Sequence, residues 1–278
     1  MIWLVLKRPG SLRFSMSLSS LNNKLFTQQF ELLLIAIGFF TRIPIPNTLD
    51  FSQQKLNQAS RYFSLVGWLV GGLCALCFWL LSFMLPTNIA ILGSMLFSVL
   101  LTGCFHEDGL ADTCDGFGGG WQKQQKLSIM KDSRLGTYGA VAIWMVLTVK
   151  YMSLVQIESV VTSLLVAHVL SRALATAMIY NLPYVSDEKT SKVKPLAELL
   201  TAKELGINLL VASLSLIFVS EITLLLLAVL VAVYFVLRKL YLKQIGGFTG
   251  DTLGAAQQIS EVVIYLVIVS TQMFRVAV

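Results

Sequence analysis

Residues 89–120, IAILGSMLFSVLLTGCFHEDGLADTCDGFGGG, join a long apolar run directly to an acidic, glycine-rich segment. The apolar run ends near residue 105, and residues 106–120 contain four carboxylates and five glycines. A helix needs roughly 20 mainly apolar residues to cross the hydrocarbon core of a bilayer. We therefore predict that this stretch delivers a cluster of negative charge to the edge of a membrane.

The composition of the whole chain is that of a membrane protein. Of its 278 residues 56% are hydrophobic and only 13% are charged, against roughly 45–50% and about 25% in soluble domains. The net charge of +6 does not indicate a nucleic-acid partner, because the basic residues lie in loops between apolar runs and form no stripe. We predict an all-α, polytopic integral membrane protein whose partner is the lipid bilayer.

The order of the apolar runs predicts about seven transmembrane helices plus an N-terminal interfacial or re-entrant half-helix over residues 30–40. Residues 1–25 are predicted to be a mobile N-terminal extension, and residues 26–278 a single transmembrane catalytic domain. The spans are predicted at residues 62–85, 89–105, 138–156, 160–180, 207–219, 222–237 and from about 255 to about 276.

The loops between the predicted spans fall into two kinds. The short connections at residues 86–88, 157–159 and 220–221 contain no Lys or Arg, whereas every long loop contains several. Cytoplasmic loops carry the excess of Lys and Arg in most polytopic proteins. We therefore expect the long loops, and both acidic glycine-rich motifs within them, to face the cytoplasm.

The acidic segment predicts a metal site. If it is helical, Asp108, Asp112 and Asp115 stand at i, i+4 and i+7 on one face. Carboxylates that converge stay ionised beside a cation, and hard oxygen ligands suit Mg²⁺ or Ca²⁺. We expect Glu107 and Asp251 as further ligands. The pattern also fits Asp108 capping a helix, a turn after Asp115 and a solvated Asp112.

A second motif, GGFTGD at residues 246–251, is predicted to bind anions. It opens the last helix, where backbone N–H groups point outward, and its glycines let a ligand approach the backbone. We expect Gly247, Thr249 and Gly250 to bind substrate.

Cationic and small polar residues are predicted to assist at the same face. Lys131 and Arg134, with Ser133 and Gly136 beside them, are expected to bind the substrate's phosphates and to stabilise their charge. Both cations are equally consistent with the excess of Lys and Arg that cytoplasmic loops carry in membrane proteins. Arg42 is expected to contact an anionic substrate or to anchor in lipid headgroups.

Two ionisable residues lie one turn apart inside the fourth predicted span. His168 and Arg172 share one face there, and intramembrane ionisable groups are commonly functional. Arg172 is expected to bind substrate or to snorkel, and His168 is consistent with a hydrogen-bonded core residue. The pattern gives no account of Lys150, near the middle of the third span.

These parts together predict metal-assisted phosphoryl transfer at a membrane surface. Asp108, Asp112 and Arg134 are the expected catalytic residues: the carboxylates hold Mg²⁺, and a carboxylate takes the proton of an attacking hydroxyl. Which carboxylate acts as the base is left open.

Five ordered motifs resemble the cobalamin synthase family, the adenosylcobinamide-GDP ribazoletransferases. They are TRIP at residues 41–44, RYF at 61–63, FHEDGLADTCDG at 105–116, MKDSRLGTYG at 130–139 and GGFTGDTLGA at 246–255. The resemblance implies a Mg²⁺-dependent enzyme of the bacterial inner membrane that joins adenosylcobinamide-GDP to α-ribazole, or its 5′-phosphate, and releases GMP. It leaves open a homo-oligomer or an association with other corrinoid-assembly enzymes.

Two other classes share features with the chain. The CDP-alcohol phosphotransferases carry an Asp-Gly-x-x-Ala-Arg motif, which residues 108–111 echo at its start, although the arginine of that motif is absent here. A polytopic transporter would bury its important carboxylates in the middle of the membrane near a repeat interface, whereas the acidic residues here cluster in loops.

Overall fold

The computed structural model describes residues 18–185 and 197–276, with side chains over residues 26–185 and 197–274. Within these ranges the chain contains no β-strand, only an isolated bridge between Tyr184 and Phe248. The prediction of an all-α protein is confirmed. The α-helices are α1 (Leu18–Phe40), α2 (Gln53–Ala59), α3 (Phe63–Ser82), α4 (Thr87–Thr102), α5 (Phe105–Gly119), α6 (Lys123–Met130), α7 (Thr137–Gln156), α8 (Val160–Asn181), α9 (Ala202–Ser213), α10 (Thr223–Ile245) and α11 (Gly250–Val276).

Helix α8 lies at the centre of the bundle and packs against α3 and α11. Small residues allow the closest of these approaches. A Cβ atom on Gly67 of α3 would lie 2.6 Å from the carbonyl oxygen of His168, and one on Gly71 would lie 3.1 Å from that of Leu164. Small residues at such crossings let helix backbones pack closely within a membrane.

The number of membrane-spanning helices differs from the prediction of about seven. By length and composition, the described residues contain five helical segments able to cross a bilayer: Gln53–Ser82, Thr137–Gln156, Val160–Asn181, Ala202–Ile245 and Gly250–Phe274. A sixth is obtained if α4 and α5, bent by 84° at their junction, count as one broken span. The remaining difference lies in residues 202–245, where the two predicted arms form one helical run interrupted at Val219.

The run over residues 202–245 nevertheless doubles back. Near its beginning, Glu204 forms a 2.7 Å ion pair with Arg61, just before α3. Near its end, the Tyr241 hydroxyl donates a 2.8 Å hydrogen bond to the carbonyl of Thr252, at the start of α11. The first turns of α3 and α11 line one common cavity. Both ends of the run therefore lie at one end of the bundle, as a hairpin requires.

The corner between α4 and α5 is built from two left-handed residues. Gly103 has φ = 67° and Cys104 has φ = 62°, a conformation that L-amino acids adopt rarely. The predicted span over residues 89–105 thus stops at Thr102, and the acidic segment forms a helix of its own, α5.

The predicted half-helix over residues 30–40 forms the second half of a longer helix, α1 (Leu18–Phe40). The apolar part of α1 covers Phe26–Phe40 and falls below the length of a transmembrane helix. The predicted boundary near residue 25 falls inside α1, and residues 1–17 lie outside the described part of the chain. The mobile extension therefore stays a prediction. The long apolar helices are those of a multi-pass membrane protein.

Candidate active site

Helices α5 and α11 touch along their backbones, and this contact builds the site. A Cβ atom on Gly109 would lie 2.8 Å from the carbonyl oxygen of Asp251 and 3.0 Å from its Cα. One on Gly254 would lie 3.2 Å from the carbonyl oxygen of His106. Because only glycine allows this approach, the first turn of α11 lies directly against the first turn of α5, which carries Asp108.

The contact brings the two acidic motifs together. Asp112 is close enough to interact electrostatically with Asp251, Asp108 and Asp115. Asp251 in turn interacts with Asp108 and with the cation of Lys131. Asp108 is exposed, while Asp112 and Asp251 are half-buried. We call Asp108, Asp112 and Asp251 the acidic face.

Asp115, predicted as a metal ligand, is engaged by the backbone of α7. Its Oδ2 accepts a 2.8 Å hydrogen bond from Gly136 N–H, and its Oδ1 accepts a 2.9 Å bond from Gly139 N–H. A carboxylate at a helix N-terminus satisfies free N–H groups and complements the helix dipole. Asp115 therefore fixes the start of α7 on α5, and Gly136, predicted to bind substrate, donates its N–H to this cap.

Glu107, also predicted as a metal ligand, lies apart from the acidic face. It is buried, and its Oε1 accepts a 3.0 Å hydrogen bond from Gln258 Nε2. Successive residues of an α-helix are about 100° apart around the axis, so Glu107 and Asp108 face different directions. Glu107 faces the interior of the bundle, where its Oε2 has no hydrogen-bond partner.

Thr249 and Gly250 open α11 beside the acidic face. The Thr252 N–H donates to Thr249 Oγ1 at 3.3 Å, and the Thr249 N–H donates to Thr252 Oγ1 at 2.9 Å. This reciprocal pair stabilises the first turn in the manner of a capping box. The Thr249 hydroxyl also donates to Asp251 Oδ2 at 3.4 Å, so the cap orients an acidic residue.

Gly247, predicted to bind substrate, has a packing role in the structure. A Cβ atom there would collide with the carbonyl of Pro183. The neighbouring Phe248 N–H donates to that same carbonyl at 2.9 Å, and Val185 N–H donates to Phe248 O at 2.8 Å. Gly247 thus allows the loop before α11 to pair with residues 183–185.

The cations predicted at the site behave differently from one another. Lys131 is exposed and interacts with Asp251. The Arg134 side chain is 87% exposed and pairs with Asp132, its Nε donating to Oδ1 at 3.0 Å. This hydrogen bond lowers the pKa of Asp132 and raises that of Arg134. Ser133 is exposed between them. The structure therefore connects Lys131, and not Arg134, with the acidic face.

Arg42 lies at the corner that precedes α5. Its N–H donates a 2.8 Å hydrogen bond to the carbonyl of Leu101, and its exposed side chain covers Gly103, where a Cβ atom would collide with it. This position is at the same end of the bundle as the acidic face.

A buried polar network, largely missed by the sequence analysis, joins α5, α7, α8 and α11. Lys150 Nζ lies 2.9 Å from Glu261 Oε1 and donates to Gln258 Oε1 at 3.1 Å. Gln257 Nε2 donates to Glu261 Oε2 at 2.7 Å, and His168 Nδ1 lies 3.9 Å from that oxygen. The signal in the sequence was the polar group Gln257, Gln258 and Glu261 inside an otherwise apolar helix.

Arg172 lies at the edge of this network and also lines a cavity. Its Nη1 donates to the carbonyl of His168 at 3.0 Å, while its buried Nε has no hydrogen-bond partner. We call the cavity that Arg172 lines the aromatic cavity. The ring-bearing residues on its wall are Phe39, Phe40, Phe63, Phe105 and His106.

The acidic face is open rather than a closed metal cage. Among the side chains of residues 26–185 and 197–274, no three from His, Cys, Asp or Glu converge closely enough to hold a metal by themselves. Mg²⁺ usually keeps several waters and is held by one or two carboxylates together with phosphate oxygens of a substrate. The donor set of the acidic face fits that mode of binding.

The fold and the site together define a class: a polytopic, all-α membrane protein with an acidic, glycine-lined site at one end of its bundle. The family model of cobalamin-5-phosphate synthase matches residues 32–269. The chain belongs to this family.

Curated relatives of this chain share one name. The similarity extends over nearly the whole length of each relative. An adenosylcobinamide-GDP ribazoletransferase of Vibrio parahaemolyticus is 48% identical over 246 residues, covering 87% of this chain and 93% of the relative. Proteins of the same name from Shewanella frigidimarina and Shewanella piezotolerans are 49% and 51% identical, covering 87% of this chain and 95% of each relative. No solved structure matches the chain.

Proposed function

We propose that this protein joins adenosylcobinamide-GDP to α-ribazole, or to its 5′-phosphate, with release of GMP. The family and the names of the relatives support this reaction. We assign this reaction to the acidic face because of the close glycine contact between α5 and α11. That contact brings together carboxylates from two distant motifs. The acidic face is then the place of transfer.

The proposed reaction is a substitution at phosphorus. A ribose hydroxyl of α-ribazole attacks the phosphate that carries the cobinamide arm, forming a new P–O bond. The P–O bond between that phosphate and the phosphate of GMP breaks, and GMP leaves with the bonding electrons. The proton of the hydroxyl passes to a carboxylate, and Asp108 and Asp112 are our candidates for this base.

The carboxylates of the acidic face would hold Mg²⁺ together with the substrate's phosphates. Asp108, Asp112 and Asp251 are the proposed ligands, because they lie close to one another and each is at least partly exposed. When bound, the ion supplies positive charge to a diphosphate that would otherwise be repelled by the carboxylates.

Cationic residues near the acidic face complete the proposed phosphate site. Lys131 is our preferred phosphate contact, since it interacts with Asp251. Arg134 would first have to leave Asp132. Arg42 is exposed at the neighbouring corner and is available to an anionic substrate.

We place the protein in the bacterial inner membrane with the acidic face toward the cytoplasm. The support is the distribution of charge: the loops of the acidic end carry Lys123, Lys126, Lys131 and Arg134, and the connections at the opposite end carry no Lys or Arg.

The test is GMP release by the purified protein in detergent, given adenosylcobinamide-GDP and α-ribazole, with Mg²⁺ or with a chelator. We expect Mg²⁺-dependent release of GMP together with the cobalamin product. Absence of both from well-folded protein would refute the proposal. Accumulation of a corrinoid in proteoliposomes without GMP release would instead identify a transporter.

A further inference from the structure

The aromatic cavity is lined by the first turns of α5 and α11, the same turns that carry Asp108 and Asp251. Its wall includes His106, two residues before Asp108, and Gly250, immediately before Asp251. Helices α1, α3, α5, α8 and α11 all contribute to it. A ligand seated in the cavity would therefore have one end within reach of the acidic face.

The walls of the cavity are suited to a flat, apolar ring. The His106 ring is stacked on Phe40, with centroids 5.6 Å apart and an interplanar angle of 8°. Phe39 and Phe63 are stacked in the same way, at 6.0 Å and 4°. Aromatic faces bind planar ring systems by stacking and by burial of apolar surface.

One buried donor on this wall is unsatisfied. Arg172 is 2% exposed, and its Nε–H has no partner. Four residues of the described chain carry such an atom, Glu107, Thr113, Arg172 and Tyr234, and of these only Arg172 lines the cavity. A buried donor without a partner destabilises the protein, so a ligand that accepts from it gains affinity.

Two polar neighbours of Arg172 on this wall, Gln257 and Thr176, are already engaged. Gln257 Nε2 donates to Ser171 Oγ at 3.0 Å and to Glu261 Oε2 at 2.7 Å. The Thr176 hydroxyl donates to the carbonyl of Arg172 at 2.7 Å. The Arg172 Nε–H is thus a buried donor on this wall that an acceptor atom of a ligand could satisfy.

We propose that the aromatic cavity binds the benzimidazole base of α-ribazole, with Arg172 Nε–H donating to the ring nitrogen that does not carry the ribose. This inference rests on the proposed function for the identity of the substrate. The base is flat, uncharged and apolar apart from that single acceptor, and its ribose would emerge toward Asp108 and Asp251.

The other parts of the two substrates fit the cavity less well. Guanine presents several donors and acceptors on its edge, and burying them against phenylalanine side chains would leave most of them unpaired. The corrin ring is far larger than a space enclosed by the ends of five helices. The cavity therefore distinguishes the nucleoside substrate from the nucleotide-linked corrinoid.

The experiment measures equilibrium binding to the purified protein in detergent by calorimetry, which requires no turnover. The two probes are α-ribazole and its indole analogue, in which a C–H group replaces the accepting nitrogen. We expect the wild type to bind the indole nucleoside about tenfold to a hundredfold more weakly, the range of a hydrogen bond from a charged donor. Arg172→Lys, which removes the Nε donor and keeps the charge, should bind both probes equally.

A second pair of variants protects the test against misfolding of the Arg172 variant. Ala175 lines the cavity, and Ala175→Phe should fill it and weaken α-ribazole binding at least about tenfold. Ala228→Phe makes the same change at an exposed position of α10 and should bind α-ribazole as the wild type does.

Binding and turnover separate the two proposals. Discrimination between the probes without GMP release would support the cavity and refute the proposed reaction. GMP release by a wild type that binds both probes equally, with Ala175→Phe as tight as Ala228→Phe, would overturn the cavity assignment alone. Failure to bind α-ribazole at all would overturn both.

Discussion

Replacing Gly109 by alanine tests whether the contact between α5 and α11 assembles the active site. The new Cβ atom would lie 2.8 Å from the Asp251 carbonyl oxygen, whereas ordinary contact begins at 3.4 Å. The obstacle is backbone of a buried helix, so it cannot turn aside as a flexible side chain would. The two helices must therefore separate locally by about 0.6 Å.

This displacement is small for the fold but large for the chemistry. Overpacking of this kind typically costs about 1–3 kcal/mol of stability, which a bundle with this much buried surface should tolerate. A misplacement of about 1 Å in a catalytic arrangement costs on the order of a hundredfold in rate. We expect Gly109→Ala to lower the rate of GMP release by roughly tenfold to a hundredfold while the protein stays folded.

Gly206→Ala is the matched control. Gly206 lies in α9, and a Cβ atom added there would meet nothing within 4 Å. The control should keep the wild-type rate and melt no lower than the wild type, because alanine favours a helix over glycine. Equal rates of GMP release by the two variants would show that the close approach at Gly109 does not determine activity, and the reasoning would be refuted.

Three further predictions address individual side chains. Asp108→Asn should abolish Mg²⁺-dependent GMP release while leaving the melting temperature within a few degrees of the wild type, and near-normal turnover would remove Asp108 from the acidic face's chemistry. Lys131→Ala should raise the KM for adenosylcobinamide-GDP more than Arg134→Ala does, since Lys131 interacts with Asp251 and Arg134 is held by Asp132; the reverse order would contradict this. Lys150→Met should destabilise the protein by about 3–5 kcal/mol by leaving Glu261 as a buried unpaired charge, and adding Glu261→Gln should recover most of that loss in a detergent melting assay. No recovery in the double variant would mean that the pair does not act as a unit.

Local periodicity was sufficient to predict that Asp108 and Asp112 share one face of a helix but not to predict the role of each carboxylate. The i, i+4 spacing of Asp108 and Asp112 follows from helical geometry alone, and the structure has a helix there. Asp115 fits the same spacing, yet its oxygens accept from N–H groups of α7. That assignment depends on a tertiary contact which no local pattern contains.

The absence of tertiary contacts from local sequence patterns also explains the other differences between the predicted and the observed sites. Glu107 follows the acidic pattern in sequence, but its position around the helix directs it to Gln258 on a helix far along the chain. Lys150 was unexplained because Glu261, its partner, lies on the last helix. The arms over residues 207–219 and 222–237 were predicted as two spans, whereas the structure has one helical run there that is interrupted at Val219.

The position of these partners has a consequence for how the protein is made. Helix α11 lies far after α7 in the sequence, yet it carries Glu261, which neutralises Lys150 of α7, and Asp251, which completes the acidic face. During synthesis, Lys150 enters the bilayer well before its counter-charge exists, and an unpaired ammonium is costly there. Insertion of α11 is therefore the step that both stabilises the bundle and creates the site, so a chain stopped before residue 250 should be neither active nor stable in the membrane.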